Sequence, residues 1–132
     1  MRVLTAIAAL MVGVIAIGTA VGASAMTPTG IWEATNGESR YAVSLCGDRT
    51  QLCAYLIWID PDVLDDNNRK YLNRSIFRFL NSTGPHRWEG EITVEGRAVS
   101  GVVELVSANE LRVTACVLAI VCSSGIMPRI GN

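Results

Sequence analysis

The chain has a single histidine, His86, no long glycine-rich loop and no basic excess. With one histidine and no phosphate-cradling loop, most metal and nucleotide chemistry is excluded, and neither a metal nor a cofactor is expected. Nucleic-acid binders carry a basic patch or a high pI, so a nucleic-acid partner is excluded as well. The first 25 residues hold no acid and only one base, Arg2. Beyond them no segment shows a helical period of any length, which leaves little room for a helical fold. What the chain does have is apolar material: 50% of its 132 residues. That excludes an acidic disordered tail.

The N-terminal segment reads as an export signal. Met1 and Arg2 form a minimal positive start, Val3 to Val21 is almost continuously apolar, and Ala23-Ser24-Ala25 has the small-x-small pattern that signal peptidase accepts. Cleavage before Met26 leaves one domain over residues 26–132, with ten bases against twelve acids. The rival reading is an uncleaved anchor, because Val3–Gly22 is long enough to cross a bilayer. A membrane enters only in that case. Otherwise the protein is periplasmic or secreted.

Export gives the cysteines meaning. In an oxidising compartment Cys46, Cys53, Cys116 and Cys122 allow three disulfide pairings. They fall as two close pairs, with six residues between the first two and five between the last two. Zinc prefers thiolates two to four residues apart and a reducing compartment. Each close pair sits at hairpin spacing, so Cys46 is expected to bond Cys53 and Cys116 to bond Cys122.

After Met26 the pattern is short strands separated by turns. Asn36-Gly37 lies between two strand-like runs and predicts a two-residue type I′ turn. Its register sets Glu33 opposite Arg40 and Trp32 opposite Tyr41. If Cys46 and Cys53 face each other, Val43 faces Leu56 and Tyr41 faces Trp58. Trp32, Tyr41, Val43, Leu45, Ala54, Leu56 and Trp58 then share one face. Tyr55, Ile57 and Ile59 fall on the other, where they are either covered or form a binding patch. Asp60-Pro61-Asp62 looks like a helix start of one or two turns, with Asp60 as N-cap. Arg74–Leu80 returns to strand, and Asn81–Pro85 reads as a loop. Trp88, Gly90, Ile92 and Val94 alternate with Glu89, Glu91, Thr93 and Glu95 in a half-buried strand. Val99, Gly101, Val103 and Leu105 point one way in the next strand; Leu111, Val113 and Ala115 do so in the one after. Eight or nine strands at hairpin spacing predict an antiparallel up-and-down barrel, closed and disulfide-stapled. A barrel of eight strands is filled by side chains or holds one small ligand.

Gly30-x-Trp32 near the mature start resembles the G-x-W opening of lipocalin-like barrels. Cys46-Gly47 followed by Leu52-Cys53, then Trp88-x-Gly90, the late pair Cys116 and Cys122, and Arg129 resemble a family of small exported bacterial proteins with no assigned function. The resemblance spans residues 30–130. The chain departs from the family pattern at Ala54 and Ala115, where glycine is usual, and at Met127, where tryptophan is usual. The resemblance implies a lipocalin-like barrel and an exported protein. It also implies that Arg129 lies across Trp32 at one end, a cation–π contact with a structural role.

The remaining polar groups suggest little chemistry. Asp60, Asp62, Asp65, Asp66, Asn67 and Asn68 have oxygens for calcium, but Leu64 occupies a ligand position and the EF-hand spacing fails. Glu89, Glu91 and Glu95 share one strand face, and carboxylates two apart on a strand are ~6–7 Å apart. That span suits an inverting glycosidase only where the pair flanks a cleft. His86 sits in a turn with no nucleophile suggested. The expectation is therefore a non-enzymatic barrel. Trp32, Tyr41, Trp58 and Trp88 are its candidate ligand-binding residues, lining a pocket for a small apolar molecule. The alternative is a protein-binding barrel, such as an inhibitor of a periplasmic hydrolase, acting through the Tyr55–Ile57–Ile59 face.

Overall fold

The computed structural model describes residues 26–132, together with residues 13–15 and 18. The export segment expected over residues 1–25 lies almost wholly outside the described residues. Among the described residues no helix is long and apolar enough to cross a membrane.

Eight antiparallel strands follow one another in chain order: β1 (Gly30–Glu33), β2 (Ser39–Cys46), β3 (Gln51–Ile59), β4 (Ser75–Gly84), β5 (Arg87–Val94), β6 (Arg97–Ser107), β7 (Glu110–Val117) and β8 (Val121–Gly131). A one-turn helix, α1 (Asp66–Arg69), lies between β3 and β4. β1 pairs with β8, so the sheet closes into an up-and-down barrel with no strand left wholly unpaired at an edge. The core runs inside it and includes Trp32, Leu52, Leu80, Trp88, Val103 and Leu111. Both expected disulfides are present, Cys46–Cys53 and Cys116–Cys122. Bridged cysteines of this kind fit an oxidising compartment rather than the cytosol.

The first hairpin has the expected register, with Trp32 opposite Tyr41 and Glu33 opposite Arg40. Its turn differs. A type I′ turn needs positive φ at both central residues, and here only Gly37 takes one, at 75°. The loop instead spans Thr35–Glu38, closed where the Ala34 N–H donates to the Ser39 carbonyl at 2.8 Å. Asn36 acts through its side chain, accepting the Glu38 N–H at 3.0 Å.

The second hairpin corrects the sequence reading. Cys53 lies opposite Ser44, and Cys46 opposite Gln51. The disulfide is therefore diagonal, and the register is two residues away from the expected one. A two-residue slide preserves facing, so Tyr41, Val43, Ala54 and Leu56 still point inward. Between Tyr41–Leu56 and Arg40–Trp58, however, Ile57 is an extra residue on β3. Such a bulge flips everything beyond it. Ile59 turns into the core, and Trp58 turns outward under the Arg40 guanidinium, 4.2 Å from its ring centre. Leu45 lies at the end of β2 and is 40% exposed.

Two further expectations shift. Asp60 caps a turn rather than a helix, its carboxylate accepting the Asp62 N–H and its carbonyl the Val63 and Leu64 N–H groups. The helix begins five residues later. There Asp65 accepts from the N–H groups of Asn67 and Asn68, while the Asn68 side chain accepts the Asp65 N–H. Asn81–Gly84, read as loop, continues β4. Phe79 sits at φ 53° within that strand, and this irregularity lets both Phe77 and Leu80 face inward.

Candidate functional site

The chain reverses at alternate ends of the barrel, and the two ends are built differently. One end gathers the start of the domain (residues 26–29) and the β2–β3, β4–β5 and β6–β7 turns. The Trp32 ring is fully buried there, and its Nε1–H donates to the Pro28 carbonyl at 2.9 Å. The Arg129 guanidinium lies 4.3 Å from the centre of that ring. It also donates to the carbonyls of Ala108, Thr29 and Thr27. Gly30 is required beside it: its φ is +154°, and a Cβ at that position would run into the guanidinium and the Gly131 carbonyl. The Trp88 Nε1–H donates to the Thr50 carbonyl at 2.8 Å, drawing the β2–β3 turn over the same end. This end is closed.

The other end is open. It holds the β1–β2 turn, the long β3–β4 connection with α1, and the β5–β6 and β7–β8 turns. Beneath them the barrel contains a cavity of about 400 Å³. Its walls are apolar, with Tyr41, Leu56, Phe77, Ile92, Leu111 and Met127 among them. Its polar groups include Thr35, Asn68, Tyr71 and Thr93, with Glu95 the one ionisable carboxylate in the lining. Small-molecule sites are of this kind, concave and apolar with a few placed polar groups. The volume is at the lower end of the usual range of roughly 300–1,000 Å³.

Of the four candidate ligand-binding residues, the structure places only Tyr41 in the cavity wall. Trp32 and Trp88 are packed into the closed end, and Trp58 is half-buried on the outside. Sequence reasoning missed Tyr71, Ile76, Phe77 and Met127. Tyr71 falls between the Asp60 helix start and the strand expected from Arg74, where no facing is set, and Phe77 is hidden by the β4 irregularity.

The two carboxyls with displaced titration are away from the cavity. The Thr50 hydroxyl and backbone N–H hold Asp48 below the usual carboxylate range. The Thr83 hydroxyl and the Arg87 guanidinium do the same for Glu89. His86 sits exposed in the β4–β5 turn at the closed end, where its carbonyl accepts the Leu105 N–H. Asp60 and Asp65 use their oxygens on backbone N–H groups. No protein-family model matches the chain, and no curated protein or solved structure matches it.

Proposed function

We propose that this is an exported, periplasmic or secreted, non-enzymatic barrel that binds a small apolar molecule in its open half. The observation that carries this reading is the cavity of about 400 Å³, which has one end sealed by Trp32, Arg129 and Trp88 and apolar walls. Interiors are normally packed to crystal-like density. A barrel that packs one half and leaves the other unfilled keeps room for an occupant. Membership in the family of small exported bacterial proteins belongs to the same proposal, resting on Gly30-x-Trp32, the cysteine pairs and Arg129. Native mass spectrometry of the protein released from its own cell envelope tests it. A bound mass of a few hundred daltons, lost on gentle activation, is expected. A bare chain alone would overturn the reading.

A second reading rests on a different observation. Tyr55 and Ile57 are 40% and 39% exposed on the outside of β3. A protein partner, such as a periplasmic hydrolase held in check, would cover that face. Co-release of a stoichiometric second protein in the same measurement would favour it.

A further inference from the structure

The barrel wall has a second opening, between β4 and β5. Hydrogen-bonded pairing of these strands covers only Asn81–Gly84 against Arg87–Glu89. Further toward the open end, Ser75–Arg78 and Glu91–Thr93 face each other without a ladder, and a slit of about 460 Å³ runs along them and reaches Tyr55 on the outside of β3. Ile76, Phe77 and Thr93 line both this slit and the interior cavity. No β4–β5 ladder joins the wall there, so it can part without breaking one.

The slit is chemically unlike the cavity. Asn73, Arg74, Arg78 and Glu91 line it. Among the described residues Arg74 and Arg78 form no ion pair, whereas Arg40, Arg69 and Arg87 each do. Two unpaired guanidiniums against one carboxylate leave the slit positive. At the open end the lining charge is the opposite one, the Glu95 carboxylate. The two openings therefore carry opposite lining charge.

We infer that the occupant is an anionic amphiphile. Its apolar body fills the cavity, and its carboxylate or phosphate head emerges through the β4–β5 slit onto Arg74 and Arg78. Guanidinium groups form paired, charge-assisted hydrogen bonds to these oxygens. The Asn73 amide adds a donor beside them. Glu95 keeps an anionic head away from the other opening. This inference rests on the ligand reading above and adds the head-group class and the residues that select it.

The test is calorimetric titration of the disulfide-bonded protein with three straight-chain amphiphiles of similar length: decanoate, decanol and decyltrimethylammonium. Decanoate is expected to bind roughly tenfold or more tightly than decanol, and decyltrimethylammonium most weakly. The Arg74→Gln/Arg78→Gln variant should bring decanoate to the level of decanol while leaving decanol affinity unchanged. Val113→Phe, which fills the cavity, should weaken all three. An unchanged melting temperature in the arginine variant, whose positions are exposed, shows that the barrel is intact. If decanol binds but decanoate binds no tighter, or the arginine variant keeps the preference, the head-group inference is overturned and the cavity reading stands. If decyltrimethylammonium binds best, the head lies at Glu95 and the inference is overturned. If none of the probes binds, the inference and the cavity reading fail together.

Discussion

The two ends of the barrel use the same strands for opposite purposes. At the closed end the two buried tryptophans and Arg129 all have partners: Trp32 has Pro28 and Arg129, Trp88 has Thr50, and Arg129 has three backbone carbonyls. At the open end Tyr41, Phe77 and Met127 border empty space. The β7–β8 turn there exposes Leu118 at 83% and Ile120 at 87%. Leu118 and Ala119 both take positive φ, near 55°, a conformation that disfavours side chains. The Cys116–Cys122 bridge closes the base of that turn. One half of the barrel is thus packed and hydrogen-bonded, while the other is left incompletely packed.

The contrast predicts unequal mutational costs. Trp32→Ala empties a filled site and should cost ~3–5 kcal/mol by chemical denaturation. That is a large share of the stability of a small domain, ~5–15 kcal/mol. Tyr41→Ala enlarges a cavity that already exists and should cost less, ~1–2 kcal/mol. Equal losses for the two would erase the distinction between the ends.

Arg129→Met comes next. It keeps an apolar stem over Trp32 but removes the cation–π contact and three hydrogen bonds, and should cost ~1–3 kcal/mol. The freed carbonyls lie near the surface and regain water, which limits the loss. Trp58→Ala should cost only ~1 kcal/mol, because the ring is half-exposed outside the barrel beneath Arg40. A loss of ~3 kcal/mol or more would return Trp58 to the interior and contradict the β3 bulge.

At the open end the sign reverses. Ala119→Gly relieves a left-handed residue and should raise stability by up to ~1 kcal/mol. A destabilised variant would show that the turn is not strained. The smallest effect belongs to Asp48, which is exposed, and Glu89, which is partly exposed beside Arg87. Their folded titration points are depressed, so the stability they add is present above the usual values of 3.8 and 4.5. It is lost as the pH falls below those values. Asp48→Asn should flatten that acid limb of a melting-temperature profile. An unaltered limb would show that Thr50 contributes nothing there.

Much of the barrel was legible because alternation and turn chemistry are local. Val103, Leu105 and Leu111 face inward as their period-two spacing requires. Trp32 meets Tyr41 because the Asn36-Gly37 region fixes the register, although through a longer loop than the dipeptide suggests. The cavity was less legible. Tyr41 was found through that register. Phe77 and Ile59 face inward only because bulges break the alternation, and alternation was the sole guide to facing. Trp58 was misplaced for the same reason: one extra residue, Ile57, reverses its side.

The sequence by itself determined the strands, the closure into an all-β barrel and the cysteine pairing. The strands and the cysteine pairing follow from neighbours close along the chain, and closure follows from the number of strands at hairpin spacing. The tertiary structure decided where the ladders slip, which end is sealed and which opening is positive. The Arg129–Trp32 contact spans 97 positions, and the slit sets β4 against β5 where no ladder joins them. Bulges and seams arise when eight strands must close on one another at a common tilt and stagger. That constraint acts on the whole ring of strands, and no local stretch of residues records it.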